Sequence, residues 1–209
     1  MVTYPTTDVE EQYWRNGQTT AGIDEAGRGA LAGPVVAAAV ILNPRAIPEG
    51  IRDSKQLSAS KRENLALAIQ QSAVAWAIGV ADVAEIERFN ILQATFLAMQ
   101  RAVKALSADP DSLLVDGNRY VPSVTPVRCI VGGDRLCLSI AAASILAKNH
   151  RDRWMTTTAH MLYPNYDFDT HKGYGTQKHR QAIVSFGPCE LHRPTFLRRI
   201  IDRRPDRHV

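Results

Sequence analysis

The feature of the sequence that most constrains its fold is a glycine-rich turn between two segments that favour β-strand. Thr20–Ala26 predicts a short strand, and residues 34–42, which are rich in Val and Ile, predict a second one. Gly-Arg-Gly occupies positions 27–29 between them. A dinucleotide-binding loop requires a helix directly after its glycines, whereas Pro34 and a β-forming run follow this turn. The pattern therefore predicts two strands joined by a turn and argues against a nucleotide-binding oxidoreductase.

Helix patterns come next, separated by a further strand pattern. Ser60 and Glu63 fit a capping box, which predicts a helix running to about Gln71. Residues 74–80 predict a third strand. Asn90 is expected to cap the next helix, and the apolar residues that follow it at helical spacing are assigned to the core. These apolar residues are Leu92, Phe96, Met99, Val103 and Leu106.

The second half of the chain predicts alternating strands and helices. Ser112–Asp116 and residues 126–131 predict two more strands, and residues 136–162 predict a long helix. After a loop at 163–176, Gln177–Phe186 predicts the last helix. Because the strands come first as a meander and then alternate with helices, we expect α/β or α+β layers around one mixed sheet.

Three of the predicted strands end in acids. Asp24 and Glu25 end the first strand, Asp116 ends the fourth, and Asp134 follows the fifth. Adjacent strands lie about 4.8 Å apart and chemistry in open sheets collects at strand ends, so we expect these acids to face one pocket. Each close pair of like charges costs about 1–4 kcal/mol, and a cation is needed to compensate. Oxygen ligands favour Mg²⁺ or Mn²⁺, and two such ions about 3.5–4 Å apart can clamp a phosphodiester for attack by water.

Two alternatives stay open for the acids. Neighbouring residues of a strand point to opposite faces, so Asp24 and Glu25 share a site only if the strand twists or bulges, or if the longer Glu side chain reaches round. Each acid taken alone is more commonly the cap of a turn or the partner of a lysine. Only the whole set of acids favours a metal site.

The residues outside the acidic set also have two interpretations each. The turn at 27–29 is either a surface whose backbone groups contact a sugar hydroxyl or a tight hairpin with an exposed Arg28. Tyr174, between Gly173 and Gly175, either stacks on a sugar or base or folds back onto the core. Lys55 lies in a polar turn before a helix and is either structural or a contact to phosphate.

Charge and cysteine usage bound the class of protein. The formal net charge of +4 is compatible with a polyanionic partner, and five arginines within residues 198–209 either contact phosphate or form a solvated end. Cys129, Cys137 and Cys189 lack metal-site or disulfide spacing and are expected to be free thiols. No stretch approaches the roughly 18 apolar residues of a membrane helix, and the acidic start is unlike a secretory signal. We expect a cytoplasmic protein with no membrane partner.

Several segments together resemble the bacterial ribonucleases HII. In order, they are AGIDEAGRGALAGPVVAAAVIL, DSKQLS, LLVDGN, SIAAASILAK with RDRWM, and HKGYGT with the later FGP and HRPTF, and they extend over residues 21–196. The resemblance implies an α/β fold in which a ribonuclease H-like mixed sheet is flanked by helices. It implies a single catalytic domain over residues 1–209, in which residues 163–209 form a small helical C-terminal part that contributes to substrate binding.

The same resemblance implies an activity. It implies a metal-dependent endonuclease that hydrolyses the RNA strand of RNA–DNA hybrids and cuts 5′ of ribonucleotides embedded in duplex DNA. The products carry 3′-hydroxyl and 5′-phosphate ends, and the process removes misincorporated ribonucleotides. The expected partners are an RNA–DNA hybrid or a DNA duplex containing ribonucleotides, and the protein is expected to act as a monomer.

The resemblance also assigns roles to individual positions. Asp24, Glu25, Asp116 and Asp134 would be the catalytic acids that bind two Mn²⁺ or Mg²⁺ ions. Gly27, Arg28 and Gly29 would contact the 2′-hydroxyl, largely through backbone groups. Tyr174 would stack on the deoxyribose after the ribonucleotide, and we add Lys55 as a contact to substrate phosphate.

Some positions depart from the family pattern. Ala30 replaces a usual proline, Leu136 and Cys137 replace a polar pair after Asp134, and Asn149-His150 replaces a more apolar pair. None of these changes removes an expected metal ligand. Two rival functions remain: the sister ribonuclease HIII, which usually has an extra N-terminal domain for which the roughly 20 residues before the first strand leave no room, and a non-catalytic nucleic-acid-binding module on the same fold.

Overall fold

A mixed sheet of five strands organises the computed structural model, which describes residues 4–201 with the side chains of residues 199–201 left out. The strands are β1 (Thr20–Ala26), β2 (Val35–Ile41), β3 (Ala75–Ala81), β4 (Ser112–Asp116) and β5 (Val127–Ile130). Their spatial order is β3-β2-β1-β4-β5. The first three strands are antiparallel neighbours, whereas β4 is parallel to β1 and β5 is parallel to β4. The predicted meander and the mixed sheet are both confirmed.

Eight α-helical segments surround the sheet in the described part of the chain. They are α1 (Asp8–Trp14), α2 (Ala59–Ser72), α3 (Val83–Lys104), α4 (Leu138–Trp154), α5 (His160–Leu162), α6 (Phe168–His171), α7 (Gln177–Phe186) and α8 (Pro194–Ile201). One turn of π-helix, Met155–Ala159, joins α4 to α5. Short 3₁₀ turns lie at Ser54–Gln56, Gly133–Arg135 and Pro164–Tyr166.

The sheet is buried on both faces because alternate residues of its strands pack against different helices. In β2, Val35 and Ala37 point into the core shared with α3, whereas Ala38 and Val40 point into the core shared with α2 and α4. Helix α4 approaches the sheet closely because small residues face it. A side chain at Gly22 of β1 would overlap the backbone of Ser139.

The C-terminal part has an apolar core of its own. Residues from the π-helical turn, α6, α7 and α8 pack together there, with Phe168, Ile183 and Leu197 at its centre. Ala32, which follows the turn after β1, belongs to the same cluster. The C-terminal helices therefore pack directly against the segment that joins β1 to β2.

Two helix starts differ from the sequence-based expectation. The cap of α2 is Ser58, whose hydroxyl accepts the amide of Lys61, so the capping box predicted at Ser60 and Glu63 is wrong. Helix α3 begins at Val83, and Asp82 and Glu85 form a capping box at its start.

Asn90 lies inside α3 instead of at its start. Its φ of 67° interrupts the helix, and its side-chain oxygen accepts the amides of Leu92 and Gln93. Asn90 therefore caps the second segment of a kinked helix, and the apolar stripe predicted after it does pack in the core.

Other differences concern the ends of the chain and one loop. Helices α1 and α8 were not predicted, so the helix expected to be the last is followed by another. The predicted loop at 163–176 contains a 3₁₀ turn and α6. The long helix predicted at 136–162 begins at Leu138 and continues through the π-helical turn.

Three further expectations have simple outcomes. The cysteines are free thiols, as expected. In the stretch from residue 4 to residue 201, no helix is long and apolar enough to cross a membrane. Most of the arginine-rich C-terminus, residues 202–209, lies outside the described residues.

Candidate active site

A cleft of about 380 Å³ opens at the carboxyl ends of β1 and β4. These strands are parallel, and their pairing ends with Ile23 opposite Val115, so Asp24 and Asp116 are the next residues of the two strands. The predicted residues that line the cleft are Asp24, Glu25, Asp116, the turn at 27–29, Lys55 and Tyr174. The fold thus collects at one place residues that are separated by up to 150 positions in the sequence.

Asp24 and Glu25 both reach this cleft without a bulge in β1. The pairing of β1 with β2 runs unbroken from Ala21 to Ala26, which excludes the bulge considered above. Glu25 lies near the strand end, where its longer side chain accepts a hydrogen bond of 3.0 Å from the guanidinium of Arg28. Of the routes considered above, the twist of the strand and the reach of the Glu25 side chain therefore remain.

Asp24 is a buried carboxylate among like charges. Burial raises its pKa well above the usual range, and the negative charges of Glu25 and Asp116 raise the pKa further. The amide of Glu25 donates to Asp24 Oδ1 at 2.7 Å, and Ser144 on α4 also hydrogen-bonds to the carboxylate, which partly offsets the shift. Ser144 Oγ in turn lies 3.0 Å from Ser54 Oγ. This pair ties the turn that carries Lys55 to the wall of the cleft.

Asp116 and Asp134 are linked through the turn that follows β5. Asp116 Oδ1 accepts the amide of Gly133 at 2.7 Å, and Gly133 is the residue before Asp134 in a 3₁₀ turn. Burial raises the pKa of Asp134, and the charges of Asp53 and Asp116 add to the shift. Lys55 Nζ lies 3.8 Å from Asp134 Oδ2. Asp134 therefore lies at the margin of the cleft, beside Asp116, while the other three acids line it.

The acidic side chains have the right chemistry for a hard divalent cation, although they are not drawn together around one point. Within residues 4–201, no group of three or more His, Cys, Asp or Glu side chains is placed to hold one metal ion. The donors are nonetheless carboxylate oxygens, the ligands that Mg²⁺ and Mn²⁺ prefer. Burial raises the pKa of Asp24, Glu25 and Asp134, and nearby acids raise each pKa further, so their ionised forms are unfavourable here without a bound cation. A cation bound here would compete with Arg28 for Glu25 and with Lys55 for Asp134.

Tyr174 faces the cleft between two cationic side chains. Lys148 Nζ lies 5.0 Å from the centre of its ring, and the guanidinium carbon of Arg151 lies 5.2 Å from it. Tyr174 is half-buried and lines the cleft, so it is not enclosed in the core. Its position beside Lys148 presents an aromatic surface next to positive charge, which suits a sugar–phosphate backbone.

The two glycines of the turn have different reasons to be glycine. Gly27 has a φ of +95°, and an added Cβ would lie 2.8 Å from the carbonyl oxygen of Pro34 and would overlap the side chain of Arg151. At Gly29, in contrast, no heavy atom lies within 4 Å of an added Cβ, and φ is not in the left-handed region. The fold itself requires glycine at position 27 and leaves open space around an added Cβ at position 29, a residue that lines the cleft.

Two buried arginines that the sequence analysis did not single out hydrogen-bond to the backbone of the turn at 27–29 and of the segment that follows it. Arg193 is fully buried, and its guanidinium donates to the carbonyl oxygens of Gly27, Arg28, Ala30 and Gly33. Every guanidinium hydrogen bond that it makes within the described chain goes to a backbone carbonyl. Burial lowers its pKa to about 9, and the charge of a neighbouring arginine contributes.

Arg151 is the second of these arginines. It is fully buried and donates to the carbonyl oxygens of Ala32, Pro34 and Lys172, so it joins the segment after β1 to the segment that carries Tyr174. Both arginines lie in segments that carry the family resemblance, RDRWM and HRPTF. No local spacing signals a buried arginine, because all the partners of these two arginines except Lys172 lie more than 100 positions away.

The family comparison decides the class of protein. Residues 21–200 match the family model described as Ribonuclease HII. The chain belongs to the ribonuclease HII family. Ribonuclease HII from Nitrosococcus oceani is 55% identical over 180 residues, which cover 86% of this chain and 89% of the relative.

Solved structures agree on the fold. The ribonuclease H2 from Pyrococcus horikoshii OT3 superposes with a TM-score of 0.72 at 24% identity, over 88% of this chain and 98% of that one. Bst-RNase HIII, solved in complex with Mn²⁺, superposes with a TM-score of 0.61 at 22% identity, over 90% of this chain and 63% of that one. The predicted ribonuclease H-like fold and the predicted ribonuclease HII family are therefore confirmed. Membership of the family makes the chain a ribonuclease H nuclease, the class that acts on RNA–DNA hybrids.

Proposed function

We propose that this chain is a divalent-metal-dependent endonuclease that also cuts 5′ of single ribonucleotides embedded in duplex DNA. The cut would leave 3′-hydroxyl and 5′-phosphate ends and would serve to remove misincorporated ribonucleotides. The observation that carries the proposal is the meeting of Asp24, Glu25 and Asp116 in one cleft with the turn at 27–29 and Tyr174. An acidic centre for phosphodiester cleavage thus lies next to a backbone surface and an aromatic ring that suit a nucleic acid.

Two Mn²⁺ or Mg²⁺ ions are the proposed cofactors, held by Asp24, Glu25, Asp116 and Asp134. Asp24 takes the central place because the charges of both Glu25 and Asp116 act on it. The carboxylate donor set, the burial that raises the pKa of Glu25 and Asp134, and the Mn²⁺ complex of the fold relative Bst-RNase HIII support this assignment. Divalent ions bound there would stabilise the negative charge that develops on the phosphodiester. The acids then serve as ligands and not as proton donors.

The turn at 27–29 is the proposed site for recognition of the 2′-hydroxyl. Gly27, Arg28 and Gly29 line the cleft, and the open space at Gly29 lets a sugar approach the backbone closely. Backbone donors and acceptors distinguish RNA from DNA when they contact the 2′-hydroxyl. An all-DNA duplex would therefore bind without being cut.

Tyr174 and Lys55 are the remaining proposed substrate contacts. Tyr174 would stack on the deoxyribose that follows the ribonucleotide, which makes the enzyme sensitive to the RNA-to-DNA junction. The Lys55 side chain is 77% exposed beside the acids, where it can contact a phosphate.

Because Tyr174 belongs to the C-terminal part, we assign residues 163–209 to a helical extension of a single catalytic domain over residues 1–209. We further propose that the protein acts as a monomer in the cytoplasm, a reducing compartment that suits its free cysteines.

The experiment that tests the proposal uses a DNA duplex with one ribonucleotide, incubated with Mg²⁺ or Mn²⁺. Asp116→Asn is expected to abolish cutting while the protein stays folded, because the asparagine oxygen can still accept the amide of Gly133. Asp109→Asn is the matched control, since it removes the same charge from an exposed position before β4. Full activity of the Asp116→Asn variant, or no cutting by the unmodified protein with either metal, would refute the assignment.

A further inference from the structure

His192 and Arg193 are adjacent and buried, and each is connected to a different loop of the cleft. We call residues 27–33 the glycine loop and residues 172–176 the tyrosine loop. The two loops are themselves joined, since the amides of Leu31 and Ala32 both donate to the carbonyl of Gly173. His192 forms an isolated β-bridge with Ala32 at this junction.

Arg193 sets the orientation of the peptide groups in the glycine loop. Its guanidinium donates to Gly27, Arg28, Ala30 and Gly33 with distances between 2.7 and 3.0 Å. In a trans peptide the C=O and N–H bonds point in opposite directions, so carbonyls that face Arg193 turn the amides of the following residues away from it. The amides of Arg28 and Gly29 are therefore directed away from the buried side of the loop. A lysine cannot replace this arrangement, because only the planar guanidinium offers several donors in a fixed fork.

His192 acts on the tyrosine loop through a chain of hydrogen bonds whose direction can be worked out. His179 Nδ1 lies 3.0 Å from the carbonyl oxygen of Tyr174, and a carbonyl only accepts, so Nδ1 carries the proton. In a neutral imidazole Nε2 of His179 is then an acceptor, and His192 Nε2, at 3.0 Å, donates to it. His192 Nδ1 is left to accept the amide of Cys189 at 2.9 Å, with the thiol of Cys189 at 3.1 Å beside it. The carbonyl oxygen of Cys189 is also near this nitrogen, at 3.3 Å, and we assign the acceptor role because the contact with the amide is the shorter of the two.

The surroundings keep both imidazoles neutral. Burial lowers the pKa of His179 and of His192 to about 4. The ring of His171 stacks on that of His179 with centroids 4.2 Å apart, and His171 Nε2 is itself held by the carbonyl of Tyr166. A protonated pair would place two donors against each other between His179 and His192, so the neutral form is the one that fits this geometry.

We propose that His192 and Arg193 are positioning residues that hold the glycine loop and Tyr174 in one fixed spatial relationship. This inference rests on the proposed function, because it takes the two loops to be the parts that contact the ribose and the following sugar. Contact with a 2′-hydroxyl through peptide groups depends on their orientation, and small displacements of such groups have large effects on rate. His192 and Arg193 thereby determine how strongly the enzyme prefers a single embedded ribonucleotide to a long hybrid.

The kinetic test compares Arg193→Lys and His192→Leu with Arg45→Lys, which changes an exposed arginine in the loop after β2. For each variant, kcat and KM are measured on a duplex with one ribonucleotide and on a long RNA–DNA hybrid. We expect kcat on the single ribonucleotide to fall about tenfold or more for the two test variants, with KM nearly constant. The ratio of the two activities should change about fivefold, while the Arg45→Lys variant behaves like the unmodified protein.

Loss of folded protein would give a different result from loss of positioning. A smaller folded fraction lowers both activities by the same factor, so an unchanged ratio would overturn the proposal. In His192→Gln, the amide nitrogen of the glutamine can still donate to His179 Nε2. We therefore expect its ratio of single-ribonucleotide activity to hybrid activity to lie between the ratios of the unmodified protein and of His192→Leu. An unmodified protein that cuts neither substrate would instead refute the proposed function.

A spectroscopic measurement on the unmodified protein tests the proposal without reference to activity. Nitrogen-15 spectra of the imidazoles should show His179 protonated at Nδ1 and His192 protonated at Nε2 at neutral pH. In Arg193→Lys, the amide resonances of Arg28 and Gly29 should shift while those of β3 stay in place. The opposite tautomer at either histidine, or unshifted loop amides, would overturn the inference.

Discussion

Asp24 and Asp116 lie side by side at the carboxyl ends of two parallel strands that are hydrogen-bonded neighbours. Burial raises the pKa of Asp24 most, and the negative charges of Glu25 and Asp116 raise it further. A carboxyl group whose pKa is higher in the folded than in the unfolded protein reduces stability at neutral pH, where the group is ionised. The acidic cleft therefore lowers the free energy of unfolding at neutral pH, and several measurements can test this loss of stability.

The first prediction concerns the charge of Asp116 in protein kept in a chelator. Asp116→Asn is expected to raise the free energy of unfolding at pH 7 by about 1 kcal/mol, because it removes a like charge near Asp24. Urea unfolding of both proteins in the chelator provides the measurement. Equal or lower stability of the variant would show that the acids do not repel one another in the folded protein.

The second prediction concerns metal addition. A ligand at about 100 times its dissociation constant stabilises the folded state by about 2.7 kcal/mol, so Mn²⁺ should raise the melting temperature of the unmodified protein. Asp24→Asn should lose most of this increase because it removes the proposed central ligand. Asp109→Asn should keep the increase in melting temperature. An equal increase in the Asp24→Asn and Asp109→Asn proteins would argue against a metal site at Asp24.

The third prediction compares two substitutions in the same turn. Gly29→Ala should leave the free energy of unfolding within about 0.5 kcal/mol, because an added Cβ meets no atom within 4 Å. Gly27→Ala should cost about 1–3 kcal/mol, because alanine at a φ of +95° is strained and overlaps Arg151. Cutting of an embedded ribonucleotide should nevertheless fall in the Gly29→Ala protein. Normal activity of a normally folded Gly29→Ala protein would remove the turn from substrate recognition.

The fourth prediction concerns acid stability. Unfolded histidine has a pKa of about 6.5, whereas burial holds the pKa of His179 and of His192 at about 4 in the folded protein. Between these values the unfolded chain binds more protons, so stability falls as the pH falls from about 6.5 to about 4, by up to about 1.4 kcal/mol per pH unit for each histidine. Urea unfolding at pH 7, 6 and 5 measures this slope, and His192→Gln should make it shallower. If stability falls with pH equally steeply in the His192→Gln protein, His192 is not a cause of the acid sensitivity.

The fifth prediction concerns Tyr174. Tyr174→Ala should weaken the preference for the RNA-to-DNA junction because the ring is the surface proposed to stack on the deoxyribose. Tyr174→Phe keeps the ring and should keep the preference. The distribution of cut positions on a duplex with a short RNA segment provides the measurement, and unchanged cutting by the alanine variant would contradict the role.

The strands were predictable because their signals are local. Dense runs of Val, Ile and Ala mark β2, and β4 is a short apolar run that ends in an acid. Helix starts were less reliable, since Asp82 and Glu85 also fit a capping box and Asn90 gave a second, competing signal within the same helix. Propensity alone does not decide between two caps eight residues apart when tertiary packing lets both operate.

The convergence of the acids follows from topology more than from spacing. Strand patterns place acids at the ends of three strands, but only the parallel pairing of β1 with β4 brings Asp24 next to Asp116 across 92 positions. The family resemblance supplied that connection. The same limit explains why Arg193 was missed, because its partners in the glycine loop lie at least 160 positions away.

The distance of at least 160 positions between Arg193 and its partners in the glycine loop affects the order in which the site can be assembled. Domains form progressively as a chain leaves the ribosome, N-terminal segments first. The sheet and all four acids are made before Arg193, so the guanidinium that fixes their neighbouring loop emerges after them. A nascent chain can therefore assemble its acidic cleft and still lack an ordered recognition surface until Arg193 has been made.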